Sequence, residues 1–316
     1  MNKRILVLGK ASQLGKSLEK LLKDIPNFFD IENFNSKIED KYNIYNWEFN
    51  FISREDLDLS NIKSINNFFN IHKFSGIVNF AAYTSVNMAE NKVDLAKQIN
   101  HIAVQKLAEI SAKQNIPLIH ISTDYVFNGK TTKPFAESDK PDPINVYGLT
   151  KFNGEEAIID SGCNGAIIRT SWLYSEYGKN FLKTILTLAK TKKSIDVVRD
   201  QIGSPTYAKN LAKAILEMFS YKETFEILNT QLNIYHFSDN GCCSWYEFAK
   251  EIIQLSNLSC KVKSIETIEH PSIAKRPHYS VLDNKKINNY ISSIERLHWR
   301  DSLNNCIQEL KKNNFY

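Results

Sequence analysis

The sequence predicts an α/β fold built on a doubly wound parallel sheet, with a smaller C-terminal lobe. Three observations carry this expectation. Short apolar runs alternate with helical periodicity over residues 1–170, a glycine-bearing turn joins the first run to the first helix, and Tyr147 and Lys151 stand one helical turn apart after the fourth run. Such alternation yields parallel strands, because each crossover helix returns the chain to the edge from which the next strand starts.

Met1 to Leu8 reads as a strand, since Ile5-Leu6-Val7-Leu8 is unbroken and apolar as buried parallel strands are. Leu14 to Lys23 reads as a helix with Leu14, Leu18, Leu21 and Leu22 on one face. From Pro26 to Asn46 no period is visible, and the segment is expected to be an elongated surface excursion. Strands are then expected at Trp47 to Ile52, Gly76 to Ala81, Ile116 to Ser122 and Ala166 to Thr170, separated by helices at Asn61 to His72, Val93 to Gln114 and Tyr147 to Asp160. Beyond them Phe181 to Lys192, Ala208 to Phe219 and Trp245 to Ser256 read as helices, interrupted by loops around Pro205, Pro271 and Pro277. The division predicted is a nucleotide-binding domain over 1–170, completed by later strands, and a mainly substrate-binding lobe over 171–316.

The chain of 316 residues, 42% of them hydrophobic, can bury a full core. Its formal charge of +5 comes from 40 basic and 35 acidic residues mixed along the chain, which suits an anionic small molecule and lacks the basic stripe of a nucleic-acid binder. The five cysteines form no C-x-x-C pair and are odd in number, so neither a zinc site nor a disulfide framework is indicated. Ile5 to Leu8 is too short for a signal peptide's apolar region, and no run of about 18 apolar residues follows, so a cytoplasmic protein with no membrane partner is expected.

Tyr147 and Lys151 lie in Asn145-Val146-Tyr147-Gly148-Leu149-Thr150-Lys151. On a helix both share one face, where an ammonium beside a phenol lowers the phenol's pKa toward working pH and tunes it as a proton donor. A packed Tyr with a solvated Lys beside it satisfies the same spacing. The context is Ser122-Thr123-Asp124-Tyr125-Val126-Phe127 at the end of a buried strand, where alternation lets only one of Ser122 and Thr123 face a cleft. The turn Gly9-Lys10-Ala11-Ser12-Gln13-Leu14-Gly15 suits pyrophosphate at a positive helix end and makes the sheet Rossmann-type; Ser12 stands where a middle glycine is usual, and its hydroxyl can bond a phosphate oxygen. The second strand ends Phe51-Ile52-Ser53-Arg54 with no carboxylate at its tip. Arg54 there suits a 2'-phosphate, so NADPH is expected, with NADH tolerated. Asp58 and Leu59 are expected to edge the adenine, and Ala81-Ala82-Tyr83 to give the nicotinamide side close approach. His120 and His236 read as packed or capping histidines.

With these pieces assembled the chain resembles the extended short-chain dehydrogenase/reductases and, within them, the dTDP-4-dehydrorhamnose reductase family. The resemblance runs through Ala81 to Asn87, Ser122 to Phe127, Asn145 to Lys151, Arg169 to Tyr174, Asp200 to Thr206, Tyr235-His236 with Ser244 to Ala249, and Arg276 to Asp283. It implies a triad of Thr123, Tyr147 and Lys151, with the last two also contacting NADPH. It implies a nucleotide-sugar substrate near Thr123 and Asp124, with Tyr125 and Trp172 lining the sugar pocket and Asn180 and Arg276 on the nucleotide side. The implied reaction is reduction of a 4-keto sugar: hydride from nicotinamide, proton from Tyr147, and carbonyl polarisation by Thr123. The chain departs from the family pattern at Asn87-Met88, Asn210, Ser12 and Phe80. Lys16-Ser17-Leu18 replaces the stretch that in some members binds magnesium at a dimer contact, so no metal is expected, while a homodimer stays open. A reductase or epimerase of another nucleotide sugar, and a non-catalytic cofactor-binding regulatory subunit, stand as alternatives.

Overall fold

The computed structural model describes residues 3–24, 47–220, 222–269, 271–291, 296–313 and 315. The excursion expected from Pro26 to Asn46 lies outside the described residues. The apolar runs become β1 (Lys3–Leu8), β2 (Trp47–Ile52), β3 (Gly76–Asn79), β4 (Leu118–Thr123) and β5 (Gly165–Thr170), joined by a sixth strand from the second half, β6 (Leu232–Phe237). They form one parallel sheet in the order β6-β5-β4-β3-β1-β2.

Successive side chains of β1 go to opposite faces. Val7 joins a core with Leu18 and Leu21 of α1 (Gln13–Asp24) and the apolar face of α6, defined below, whereas Leu6 joins a core with Ile65, Leu107 and Ile158. That second layer is α2 (Ile62–Ile71), α3 (Ala103–Gln114) and α4 (Val146–Asp160). After α5 (Phe181–Ala189), the helix α6 (Ala208–Ser220) covers the first face beside α1, so the second half of the chain completes the sheet layers. A third core, built from Tyr174, Leu186, Phe248, Leu303 and Ile307, lies among α5, α7 (Trp245–Leu255) and α8 (Trp299–Lys312). The apolar positions of α8 recur at Leu303, Cys306, Ile307 and Leu310. Among the described residues no helix is long and apolar enough to cross a membrane.

Two departures from the sequence expectation lie beside the cleft. The helix expected over Val93 to Gln114 is interrupted by a π-helical segment at Gln98–Ile102, and β3 stops at Asn79. Buried polar bonds account for both. Asn100 in the π segment bonds the Tyr83 backbone at 2.8 and 3.1 Å and Thr150 Oγ1 at 3.2 Å, and Asn79 Oδ1 accepts the Ala81 N–H at 3.1 Å, turning the chain out of the strand.

Candidate active site

The strand order reverses between β1 and β3, and at such a switch point the carboxyl ends of the strands open into a crevice. The turn after β1 lies there. Gly9 takes φ +86°, and a side chain on it would come within 2.9 Å of the Ala81 nitrogen, so the first glycine lets the turn press against the end of β3. Ser12 caps α1: its hydroxyl oxygen accepts the Gly15 N–H at 3.0 Å, which accounts for serine in place of a middle glycine. A close turn and the positive end of α1 fit a dinucleotide pyrophosphate. Leu14 lines the crevice and packs into the first core.

At the tip of β2 the structure corrects the sequence reading. Asp56 folds back so that its Oδ2 accepts Ser53 N–H at 3.0 Å and Ser53 Oγ–H at 2.8 Å, so a carboxylate does stand at the tip. Arg54 is exposed and pairs with Asp58 at 3.6 Å, while Asp58 Oδ1 also accepts from the Ser60 backbone and hydroxyl. Leu59 is buried in the second core.

The switch point opens into a cleft of about 690 Å³ lined by Ser12, Ala82, Thr123, Tyr147, Lys151 and Trp172 among others. Gly148 lets Tyr147 reach it: a side chain at 148 would meet the Tyr125 carbonyl oxygen at 2.1 Å, so only glycine lets α4 close on the turn after β4. The Tyr147 and Tyr125 rings then meet edge to face, with centroids 5.9 Å apart. Thr123 Oγ1 donates to Asp124 at 3.1 Å and accepts the Tyr125 N–H at 3.2 Å. Burial pushes Asp124 up to about 7, opposed by hydrogen bonds from Ser280 and Thr123.

The electrostatics of the Tyr–Lys pair reverse the expectation from its spacing. Burial pushes the Tyr147 phenol up to about 12, with the Thr123 hydroxyl opposing and Asp124 adding to the rise. Lys151 does not turn to the phenol: its Nζ lies 2.9 Å from His120 Nε2 and donates to the Ile121 carbonyl at 2.6 Å. Burial pushes Lys151 down to about 7, with Glu155 pulling it back up.

Behind Lys151 sits a buried ion pair that sequence reasoning missed. Arg169 of β5 holds Glu155 of α4 through two nitrogens, Nη2 to Oε2 at 2.6 Å and Nε to Oε1 at 3.0 Å, and Ser122 donates to the same carboxylate. Ser122 is therefore tied to the charge pair, and Thr123 is the hydroxyl on the Tyr147 side. His236, expected as a packed histidine, completes the group, with Nε2 3.4 Å from Arg169 and Nδ1 3.0 Å from the Phe135 carbonyl. The available signal was a lone charge inside the apolar strand Ala166 to Thr170, with Glu155 one turn beyond Lys151.

The opposite wall belongs to the second half. Trp172, at φ +47°, stacks its ring on Trp245 with centroids 3.5 Å apart and planes 5° from parallel; Trp245 and Phe181 beside it were not singled out as site residues. The Asn180 amide is committed to the protein: it accepts the Lys183 N–H at 3.0 Å, capping α5, and donates to Gln13 Oε1 at 2.8 Å and Ser175 O at 2.7 Å. Gln13, expected at the cofactor, also donates to the Leu173 carbonyl at 3.2 Å, so the glycine turn and the lobe are tied together. Asn145 caps α4 and donates to the Lys275 carbonyl at 2.8 Å, which places Arg276 beside Tyr125. No ion pair to Arg276 is found among the described residues.

A switch-point crevice with a glycine turn, and a Thr–Tyr–Lys set on β4 and α4, define an extended short-chain dehydrogenase/reductase. More narrowly, the family described as RmlD substrate binding domain matches residues 3–312, and the chain belongs to it. It is 38% identical to the spore coat polysaccharide biosynthesis protein SpsK of Bacillus subtilis, over 97% of each chain. It is 36% identical to a dTDP-4-dehydrorhamnose reductase of Aggregatibacter actinomycetemcomitans, over 96% of this chain and 97% of that one. Among solved structures it is similar to the dTDP-4-dehydrorhamnose reductase of Bacillus anthracis in complex with NADP, with a TM-score of 0.83 and 32% identity over 98% of this chain and all of the other.

Proposed function

We propose that the chain reduces the C4 keto group of dTDP-4-dehydro-β-L-rhamnose to give dTDP-L-rhamnose with NAD(P)H, as a cytoplasmic enzyme of nucleotide-sugar synthesis for cell-surface polysaccharide. The observation that carries the reading is the convergence of Thr123, Tyr147 and Lys151 on one cleft that also reaches Ser12 and Gln13 of the glycine turn. The names of the family relatives support the substrate. Bound NAD(P)H supplies a hydride to C4. Tyr147, whose phenol stays protonated at working pH, gives its proton to the carbonyl oxygen as that oxygen gains charge. The Thr123 hydroxyl turns from Asp124 to donate to the same oxygen. Lys151 balances the phenolate left on Tyr147 and bonds the nicotinamide ribose. Trp172 and Tyr125 offer flat surfaces to the sugar or the base, and Arg276, next to Tyr125 and with no carboxylate partner among the described residues, suits the diphosphate. Arg54 at the tip of β2 is the group offered to a 2'-phosphate, against the Asp56 carboxylate beside it, so the two cofactors are to be titrated in parallel.

The test is NADPH oxidation with a panel of dTDP-, UDP- and GDP-linked 4-keto sugars. Turnover with the dTDP sugar is expected. Turnover confined to a UDP or GDP sugar overturns the substrate and leaves the reductase, and NADPH binding without turnover on any of them favours a regulatory subunit.

A further inference from the structure

Asp124, just past β4, is 2% exposed, and no ion pair to it is found among the described residues. Its Oδ1 lies 3.1 Å from Thr123 Oγ1. The Ser280 hydroxyl approaches the carboxyl, but loosely: Oδ2 is buried and has no hydrogen bond of ordinary geometry. A buried carboxylate with no cation and one bare oxygen is costly, whereas the acid form carries no charge and needs one acceptor for its hydrogen. Thr123 Oγ1 is the acceptor within reach, so that hydrogen belongs on Oδ1. The direction of the Thr123 bond then depends on the state of Asp124. An ionised carboxyl can only accept, and it takes the Thr123 hydrogen. A protonated one donates to Thr123 Oγ1, which already accepts the Tyr125 N–H at 3.2 Å. Both lone pairs of that oxygen are then filled, and its own hydrogen is left for the cleft, where the Tyr147 phenol stands.

We propose that Asp124 is a positioning residue for the reduction: held as a carboxylic acid, it donates to Thr123 and so aims the Thr123 hydroxyl at the substrate carbonyl. This rests on the role given to Thr123 above and supplies the reason for its turn from Asp124. Tyr147 remains the proton donor, and no proton leaves Asp124. The groups facing Asp124 are Tyr147 and Lys151 of α4 in the same cleft, Tyr125 next in the chain with Arg276 beside it, and Ser280. The pKa direction agrees with the geometry. Burial pushes Asp124 up to about 7, against the Ser280 and Thr123 hydroxyls and the N–H groups of Asp124 and Tyr125. Asp239 provides an internal contrast. It is also buried, but its Oδ1 accepts from the Asn210 amide at 2.8 Å and its Oδ2 from the Tyr207 N–H at 2.9 Å. Both partners are donors that favour the ionised form, and burial lifts that carboxyl only to about 6.

The test reads the carboxyl first. In ¹³C spectra that link each aspartate carboxyl to its assigned β-carbon, taken on the full chain without substrate, Asp124 should be protonated at pH 6 and ionise with a midpoint of about 7. Ionisation at about 4, the ordinary aspartate value, overturns the proposal whether or not any variant folds. The kinetic arm uses two variants. Asp124→Ala leaves the Thr123 hydroxyl free to turn and should lower kcat about tenfold at pH 6, as a misdirected hydrogen bond implies. Asp124→Asn, whose NH2 can donate to Thr123 at every pH, should restore it. In the wild type, kcat should fall by a step of about tenfold as pH rises through 7, added to the fall from Lys151, which loses its charge in the same window. Asp124→Asn should remove that step and keep the Lys151 fall. A folded Asn variant no better than Ala, or one that keeps the step, overturns the positioning role. The carboxyl is read without substrate, so a wrong substrate assignment does not alter that outcome.

Discussion

The two walls of the cleft are built differently. On the sheet side, Thr123 and Lys151 sit on β4 and α4, buried between layers; Thr123 bonds Asp124, Lys151 meets His120, and the buried polar groups Asn79, Glu155 and Arg169 lie behind them. On the lobe side, Trp172, Asn180 and Arg276 are held by a ring stack, a helix cap and a loop tied to Asn145. On the proposed function, proton chemistry falls where backbone cannot yield and water is scarce, and recognition where a loop can change without disturbing the sheet.

Tyr147→Phe is the hardest test of the sheet wall. It should lower turnover by about 10²- to 10⁴-fold while NADPH titrations stay nearly unchanged. Equal turnover would take the proton donor off this wall. Glu155→Ala should leave Arg169 buried and unpaired and lower unfolding stability by about 3–5 kcal/mol, read as a shifted denaturant midpoint. A surface-sized loss would mean that the sheet wall is no more rigid than the lobe.

The same wall predicts acid sensitivity. Burial and Arg169 hold His236 at about 3, against an unfolded value near 6.5. Between those values the unfolded chain binds the proton first, so this contribution is complete above about 6.5 and is lost as pH falls toward 3. Thermal melts from pH 7 to 4 should show it, and a flat profile would contradict a neutral buried His236.

For the lobe wall, Arg276→Ala should raise KM for the nucleotide sugar by about tenfold or more, at little cost in kcat or NADPH affinity, as loss of one charged hydrogen bond implies. A fall in kcat alone would move Arg276 to the chemical side of the comparison. The smallest effect is expected at Arg54, exposed and paired with Asp58. Arg54→Ala should weaken NADPH by about 1 kcal/mol and leave NADH unchanged, and equal losses in parallel titrations would make it a bystander.

Much of the sheet side was legible. Apolar runs and helical periods place β1 to β5 and α4, and the spacing of Tyr147 and Lys151 does put both on the cleft. The direction of the phenol's shift was not legible, because Lys151 turns to His120, a residue 31 positions away whose nearness exists only once β4 and α4 pack. Asp56 was hidden for a local reason, a backbone turn that returns its carboxylate to Ser53. On the lobe side, Asn180 is implied as a substrate contact by the family resemblance alone; it does line the cleft, and only the fold shows that Lys183, Gln13 and Ser175 already bond its amide.

The stack of Trp172 on Trp245 has an optical consequence. Of the four tryptophans, Trp47 lies in the sheet core against Phe219, and Trp299 in the lobe core against Phe248. The remaining two form a parallel pair at the cleft, close enough for their electronic transitions to couple. Near-ultraviolet circular dichroism of the whole chain therefore includes a contribution from this pair, and a ring entering the cleft beside it would change that contribution without any added label.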